Sequence, residues 1–448
     1  MEILIKKEEM EKLTLGYRLT KAYFRFASDG IFYRKRYIVD ADHIPPEGTP
    51  VLMAMNHQNT FHDILGVLFA RNDRKMHFIA RADAFEIHPL FRKFLFWAGV
   101  LPAFRMQYQG EEALSNNYET FRITEQNLLD GHTVLIFPEA GHQNKRWLGN
   151  FSLGYLRMAF EAAESANFEK EIFILPAAHH YSNYRGLREQ TWIRFGTPIS
   201  LKPWYDRYKD KPRTCQREVN QLVREQIQSM MLDIRDLDHY KEIDFIRTST
   251  FGKDFALSLG KNPDVLPEKL EADKELVRRL AAGEPDYGAV ETYRKALEEA
   301  RFDDGQLVSR PSVVKTLLSI LLLILTLPFA LFCIWPALPN WFVPQYANDH
   351  LKDDDGMYLT SFQIAINTLV LIPLEFILTW IFTGLAAGWL IGLLHALSLP
   401  FLCVFEWYYV KLLKQTVRDI RFRHADTSKL QEIRQQAFNP LKNVCNNE

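Results

Sequence analysis

VLMAMNHQNTFHDILGVLF, residues 51–69, decides how the chain is read. An apolar run ends at Met55, Asn56 and His57 follow at once, and a second apolar run begins six residues after His57, at Asp63. A polar loop between a strand and a helix, with one surface histidine, would give this pattern. So would a base and its orienting carboxylate at the mouth of a site. On one continuous helix, six residues turn the chain by about 600°, which puts His57 and Asp63 on different faces. The pair can act together only if His57 lies in a loop and the helix begins near Thr60, capped by Asn59 or Thr60. Asp63 in the first turn then reaches back to the imidazole and fixes its tautomer. The other ring nitrogen can take a proton from an alcohol.

Around this stretch, from 38 to 235, short apolar runs alternate with helical periodicity. Strands are expected at 50–55, 76–80, 99–103, 133–137, 172–177 and 191–195, and helices at 61–70, 111–129, 153–164 and 215–234. That alternation predicts an α/β fold, a mixed, largely parallel sheet flanked by helices, with its site in the loops beyond the strand ends. Three further stretches sit at such ends. In GVLPAFRM (99–106), Arg105 follows a strand, where an arginine serves as a phosphate fork or simply as a solvated charge. In VLIFPEAGHQNKR (134–146), the strand ends at Phe137, Pro138 stops it, and Glu139 and Gly141 open a turn. In ILPAAHHY (174–181), Pro176 follows an apolar run. His179 and His180 are adjacent on that strand and point to opposite sides, so one is expected packed and the other exposed.

The chain has 448 residues, room for two or three domains, and a net charge of −1 from 54 basic and 55 acidic residues. That balance argues against a general nucleic-acid binder. The start, MEILIKKEEMEKL, carries charges where a signal peptide needs an apolar core, so the catalytic part is expected in the cytoplasm. Cys215, Cys333, Cys403 and Cys445 are too far apart for metal or redox spacing.

Residues 1–37 form the first segment. A helix is expected over 8–36, with Leu15, Leu19, Tyr23 and Phe26 on one face and Arg18, Lys21, Arg25, Arg34, Lys35 and Arg36 among aromatic rings. The mixture suits a membrane interface, or a helix packed on its own domain. Residues 236–310 read as a charged helical insertion or linker without visible chemistry. Uncharged runs at 316–338, 359–374 and 376–405 make 311–412 a set of membrane-embedded helices, with Glu375 and His395 the polar exceptions. Pro328 and Pro336 are expected to break the first run, and Gly384 to Gly388 to turn the second. The flanks are basic, with Arg310 and Lys315 before, Lys352 between, and Lys411, Lys414, Arg418, Arg421 and Arg423 after. Basic flanks favour the cytoplasmic side. The expected topology is a broken, shallow first segment and a two-helix hairpin over 362–410, leaving the basic tail 413–448 inside.

Together and in order, the four strand-end stretches resemble the glycerolipid acyltransferase family, which includes the glycerol-3-phosphate and 1-acylglycerol-3-phosphate acyltransferases. Asn56, His57 and Asp63 match its first block and Arg105 its second. Phe137, Pro138, Glu139 and Ala140 match the third, and Pro176 the fourth. RFGTPI, residues 194–199, looks like the family's last strand. The resemblance covers about 38–235. Five residues separate His57 from Asp63, where four are commoner, and this spacing resembles a subgroup with a C-terminal membrane region. Ala140 stands in place of a glycine, and Asn144 where many members carry a second arginine beside Lys145 and Arg146.

The resemblance implies acyl transfer from acyl-CoA or acyl carrier protein, as co-substrate, to a glycerol-phosphate hydroxyl in phospholipid synthesis. It implies no resident cofactor and no metal. His57 would be the general base and Asp63 its partner. Arg105 and Glu139 would place the phosphorylated acceptor, with Asn56, Phe137, Pro138, Gly141 and Pro176 shaping the substrate site. A lipid hydrolase would want a Gly-x-Ser-x-Gly elbow, and Ser152 in NFSLG lacks the first glycine. A zinc enzyme would want helical histidine spacing, which His57 with His62, and His179 with His180, do not have. A membrane scaffold with a decayed acyltransferase domain is the non-enzymatic alternative.

Overall fold

The computed structural model describes residues 13–86, 88–103, 120–139, 141, 145–350 and 359–446. The chain divides between Met231 and Leu232 into two compact units.

The first unit is built on the sheet. Its strands are β1 (Tyr33–Val39), β2 (Val51–Met55), β3 (His77–Arg81), β4 (Val100–Ala103), β5 (Thr133–Ile136), β6 (Phe173–Tyr181), β7 (Glu189–Phe195) and β8 (Ile199–Ser200). They lie in the order β1-β7-β6-β2-β5-β3-β4, with β8 on β6. From β6 to β4 every pairing is parallel, while β7 and β8 run antiparallel to β6. Every residue of β2 is buried, as expected of a parallel strand covered on both faces. Because β2, β5 and β6 run the same way, their C-terminal ends meet on one edge of the sheet, where such folds carry their sites. Helices α2 (Thr60–Leu68), α3 (Pro89–Trp97), α4 (Gly154–Ser165) and α5 (Pro212–Met230) accompany the sheet.

The N-terminal segment differs from the expected single helix. α1 covers Leu15–Arg25, a π-helical turn covers Phe26–Phe32, and β1 starts at Tyr33. Arg36 explains the change of direction. It donates to Asp29 Oδ1 (2.8 Å) and Ser28 Oγ (2.9 Å), tying the strand back to the turn. As the outer strand of its sheet, β1 also keeps Arg34 and Lys35 exposed, a usual guard against edge-to-edge pairing.

The second unit joins the charged segment to the tail. Helices α6 (Tyr240–Thr248), α7 (Thr250–Ser258), α8 (Leu266–Ala282) and α9 (Tyr287–Ala300) pack together. Arg247 is buried between Asp244 (2.7 Å) and Asp273 (3.0 Å). Asp304 accepts from Thr250 N (2.7 Å), Tyr293 OH (2.5 Å) and Arg434 Nε (2.8 Å). The last helix, α13 (Ser428–Asn446), lays Phe438 against Phe245, Phe251 and Tyr293, so the tail belongs to the same helical core as 236–310.

Among the described residues between α9 and α13 are three helices long and apolar enough to cross a membrane: α10 (Val313–His350), α11 (Leu359–Ala387) and α12 (Trp389–His424). α10 is continuous through Pro328 and Pro336, contrary to the expected break. Prolines persist in such helices when neighbours satisfy the carbonyls they strand. Pro344 has no N–H for the carbonyl of Asn340, and Asn367 Nδ2 donates there instead (3.3 Å). Asn340 Nδ2 in turn donates to Glu375 (3.0 and 3.1 Å), an interhelical polar tie of the kind that substitutes for hydrophobic driving force in lipid. The turn expected at Gly384 to Gly388 is present, with Gly388 at φ 103°. A Cβ at Gly392 would lie 2.6 Å from Gly384 N, so α11 and α12 meet backbone to backbone there.

Candidate active site

The site begins where β2 stops. Asn56 is fully buried, and both ends of its amide are engaged by the backbone of His179: Nδ2 donates to the carbonyl (3.1 Å) and Oδ1 accepts the N–H (2.7 Å). This clamp extends the β2–β6 pairing by side chain after the ladder ends. His57 follows in the loop, and α2 starts at Thr60. Thr60 has φ 39°, a left-handed conformation that a β-branched residue resists, and strain of this kind gathers at functional junctions.

Asp63 holds the junction together. Its Oδ2 accepts from His57 Nδ1, Gln58 N and Asn59 N, each at 2.9 Å. Its Oδ1 accepts from Tyr181 OH at 2.5 Å, and His179 Nδ1 lies 3.4 Å away. Asn59 occupies the N-cap position of α2 as expected, but its side chain makes no capping bond, and Asp63 instead ties down the two N–H groups just ahead of the helix. The Asn59 amide turns away to the Tyr184 carbonyl (3.2 Å). Burial pushes the Asp63 carboxyl up, but the close approach of His179 and the hydrogen bond of His57 outweigh it and hold the group well below the usual carboxylate range. The His57 side chain is 16% exposed and that of Asp63 not at all, so the carboxylate is sealed behind the ring.

A second carboxylate grips the same loop. Glu139, just after β5, accepts His57 N at Oε1 (2.8 Å) and Gly149 N at Oε2 (2.7 Å). Burial raises its pKa, and the two backbone donors oppose that rise. A Cβ at Gly149 would lie 2.7 Å from Oε2, so only glycine lets the carboxylate come this close. Phe137 stacks on the His57 ring at 3.8 Å between centroids and 18° between planes. Pro138 is buried, and its carbonyl accepts Ser152 N (2.8 Å). Pro176 lies in β6 beside Ala54, and its carbonyl accepts Gly196 N (2.7 Å). Gly141 is half-buried in a bend, with no atom of the described residues within 4 Å of where a Cβ would be. Arg105, Ala140 and Asn144 lie outside the described residues.

His57, Asp63, Phe137 and Glu139 are thus brought together, while Asn56, Pro138 and Pro176 serve the frame around them. His179 and His180 are both buried, against the expectation of one exposed ring. The sheet is covered on both faces, so either direction leads inward. His180 faces Arg146 (3.3 Å), which is itself buried and donates to the carbonyls of Tyr181 (2.9 Å) and Ser182 (3.2 Å). The Arg146 guanidinium thus ties down the loop that follows β6. Sequence reasoning missed Tyr181, His179 and Gly149. The signal for Gly149 is its place shortly after the Glu139 turn. Tyr181 and His179 show only as a strand running four residues past its expected end.

A base backed by a buried carboxylate, at the C-terminal end of a parallel strand, suits the deprotonation of a hydroxyl. The acyltransferase family model matches residues 36–180, which hold His57, Asp63, Glu139 and Pro176. These residues form an acyltransferase domain. The match agrees with the family to which the four strand-end motifs point. Among solved structures, the chain is similar to the crystal structure of the 1-acyl-sn-glycerophosphate (LPA) acyltransferase PlsC from Thermotoga maritima. The identity is 15%, over 48% of this chain and 77% of that chain, with a TM-score of 0.34. Among curated proteins compared, none matches.

Proposed function

We propose that the chain is a membrane-bound O-acyltransferase of phospholipid synthesis. It would move a fatty acyl group from acyl-CoA or acyl carrier protein to a hydroxyl of glycerol-3-phosphate or 1-acylglycerol-3-phosphate. The observation that carries this reading is the 2.9 Å bond between His57 Nδ1 and Asp63, inside an acyltransferase domain. With Nδ1 turned to Asp63, His57 Nε2 takes the acceptor's hydroxyl proton as the oxygen attacks the thioester carbonyl. The carbon–sulfur bond then breaks, and the leaving thiolate takes the proton back from the imidazolium. Asp63 stabilises the charge on the ring throughout. No covalent intermediate and no resident cofactor enter this scheme; the acyl carrier is a co-substrate.

The reading also assigns a place in the cell. At the base of the apolar helices, Arg423 bonds the Pro311 carbonyl, Arg418 meets Asp303 (2.5 Å), and Gln306 meets Asp419 (2.8 Å). The chain enters and leaves this region at one end, which three straight crossings would forbid. Together with the basic flanks, this supports an arrangement with the catalytic domain and tail on the cytoplasmic face. α1 fits the same setting. Tyr17 and Phe24 pack inward, while Leu15 (72%) and Leu19 (62%) are exposed beside Arg18 and Arg25.

The deciding experiment offers the purified protein glycerol-3-phosphate, 1-acylglycerol-3-phosphate or dihydroxyacetone phosphate, each with acyl-CoA or acyl carrier protein. Products are identified by mass, and His57→Ala is the control. Product from one glycerol-phosphate acceptor, absent in His57→Ala, is expected. Product from dihydroxyacetone phosphate alone would reassign the acceptor. No product from any pair would favour a non-catalytic membrane protein.

A further inference from the structure

Behind Asp63, at the end of the matched region and beyond it, lies a second set of polar groups. Tyr181 ends β6, and its OH is bonded to Asp63 Oδ1 (2.5 Å) and to His179 Nδ1 (3.0 Å). His179 Nε2 is bonded to Thr191 Oγ1 on β7 (2.6 Å). Tyr181, His179, Thr191 and Asp63 are all fully buried. Such a network must satisfy its own donors and acceptors, because water does not reach it.

The protons can be placed from chemistry alone. An ionised Asp63 only accepts, so Tyr181 donates to it. The Tyr181 oxygen then accepts from His179 Nδ1–H, which leaves Nε2 as an acceptor for the Thr191 hydroxyl. Burial lowers the His179 pKa, in keeping with this neutral ring. Space for the ring comes from the helix opposite. A Cβ at Gly66, inside α2, would lie 2.5 Å from His179 Cε1. A glycine within a helix is disfavoured relative to alanine, and this contact gives it a reason.

We propose that Tyr181 is a positioning residue for the transfer, fixed by His179 and Thr191, and that it acts through Asp63. Resting on the reading of His57 as base, it binds the far oxygen of Asp63 and so fixes the rotation of the carboxylate. The near oxygen then faces His57 Nδ1 before the reaction starts. When the ring becomes an imidazolium, its counter-charge is already in place, and no group has to turn. Tyr181 touches no reacting atom.

The test uses the full-length protein, with kcat and both KM values measured for wild type, Tyr181→Phe, Thr191→Val, Asp63→Asn and His57→Ala. Tyr181→Phe keeps the ring packing and removes one hydrogen bond to a charged acceptor, so kcat should fall about 10-fold to 100-fold with both KM values unchanged. Thr191→Val keeps the shape and removes only the far hydroxyl, so its loss should be about threefold. In the Asp63→Asn background, Tyr181→Phe should cause no further loss, whereas a residue with only a structural role would give additive losses. Unchanged kcat in a folded Tyr181→Phe, or additivity in the double variant, overturns the proposal. If Tyr181→Phe does not fold, unchanged kcat in Thr191→Val overturns it instead. His57→Ala separates the two levels. An inactive His57→Ala beside a fully active Tyr181→Phe defeats this proposal alone, whereas an active His57→Ala defeats the base reading and this proposal together.

Discussion

Replacing Asp63 with asparagine tests how much of the site depends on one charge. The substitution keeps the shape, so the bonds dictate how the amide sits. Two backbone N–H groups and His57 Nδ1 converge on Oδ2, each at 2.9 Å. An amide NH₂ turned that way would face three donors. The amide oxygen must therefore take this side, with its NH₂ toward Tyr181. The His57 tautomer survives, and what disappears is the negative charge. Between a carboxylate and an imidazolium with centres about 4 Å apart, an effective dielectric of about 20 gives roughly 4 kcal/mol. The neutral hydrogen bond that remains returns about 1 kcal/mol. The transition state should lose about 3 kcal/mol, so kcat should fall about 10²-fold while both KM values hold. Steady-state acyl transfer into a mass-resolved lipid product reads this directly. A folded Asp63→Asn protein within about threefold of wild-type kcat would show that the charge does not stabilise the reacting ring.

Four other perturbations separate the remaining roles. Glu139→Gln offers one acceptor where two N–H groups need two, and should cost about 1–3 kcal/mol in stability while lowering kcat more than it raises KM. A rise in acceptor KM alone would instead make Glu139 a substrate contact. Arg105→Ala should raise the acceptor KM about tenfold or more and leave the donor KM alone, and a shifted donor KM would assign Arg105 to the other substrate. His77 has its pKa pushed down to about 3 by burial, aided by the neighbouring charges of His132 and Lys75. Below about pH 6.5 the unfolded chain takes up this proton first, so stability should drop by up to about 1.4 kcal/mol per pH unit as the pH falls toward 3. Chemical denaturation should find that slope reduced in His77→Phe, and an equal slope would clear His77 of the effect. Single cysteines at Asp349 and at Lys442, in a background without the native ones, should both stay unlabelled from outside sealed cells. Labelling at Lys442 would mean an odd number of crossings.

What the sequence revealed, and what it hid, follows from where each signal lies. β2, β5 and β6 show because strands buried on both faces read as unbroken apolar runs. β1 did not show, because its Arg34, Lys35 and Arg36 resemble the polar side of a helix, and only the bonds of Arg36 to Ser28 and Asp29 turn the chain. α3 also escaped notice: its Pro89 start is a helix signal, but its N-cap is the side chain of His88, an unusual choice. In the site, His57 and Asp63 could be paired from their spacing because they are near in sequence. Tyr181 could not, since 118 residues separate it from Asp63 and only the β6–β2 register brings them together. Glu139 was legible as a site residue, but its partners, two backbone N–H groups, leave no trace in a sequence.

On the proposed function, His57 is a base that works on a phosphorylated acceptor, and it faces conflicting demands. Its imidazole needs a carboxylate behind it, while an anionic substrate is repelled by carboxylates. The fold answers by separation. Asp63 is wholly buried, and two backbone N–H groups, Tyr181 and His57 share its charge. Glu139 stands closer to the loop and is likewise occupied on both oxygens by backbone donors, with a pKa that burial raises. Asp63 and Glu139, the carboxylates described beside His57, thus point their lone pairs into the protein, and the ring presents its exposed part outward. On the same proposal, attraction of the phosphate falls to cations, of which Arg105 is the one the motifs nominate. Arg146 bonds the carbonyls of Tyr181 and Ser182 and shapes the loop that follows β6. The division explains why the carboxylates should govern kcat and Arg105 the acceptor KM. The two parameters should respond separately when those residues are changed one at a time.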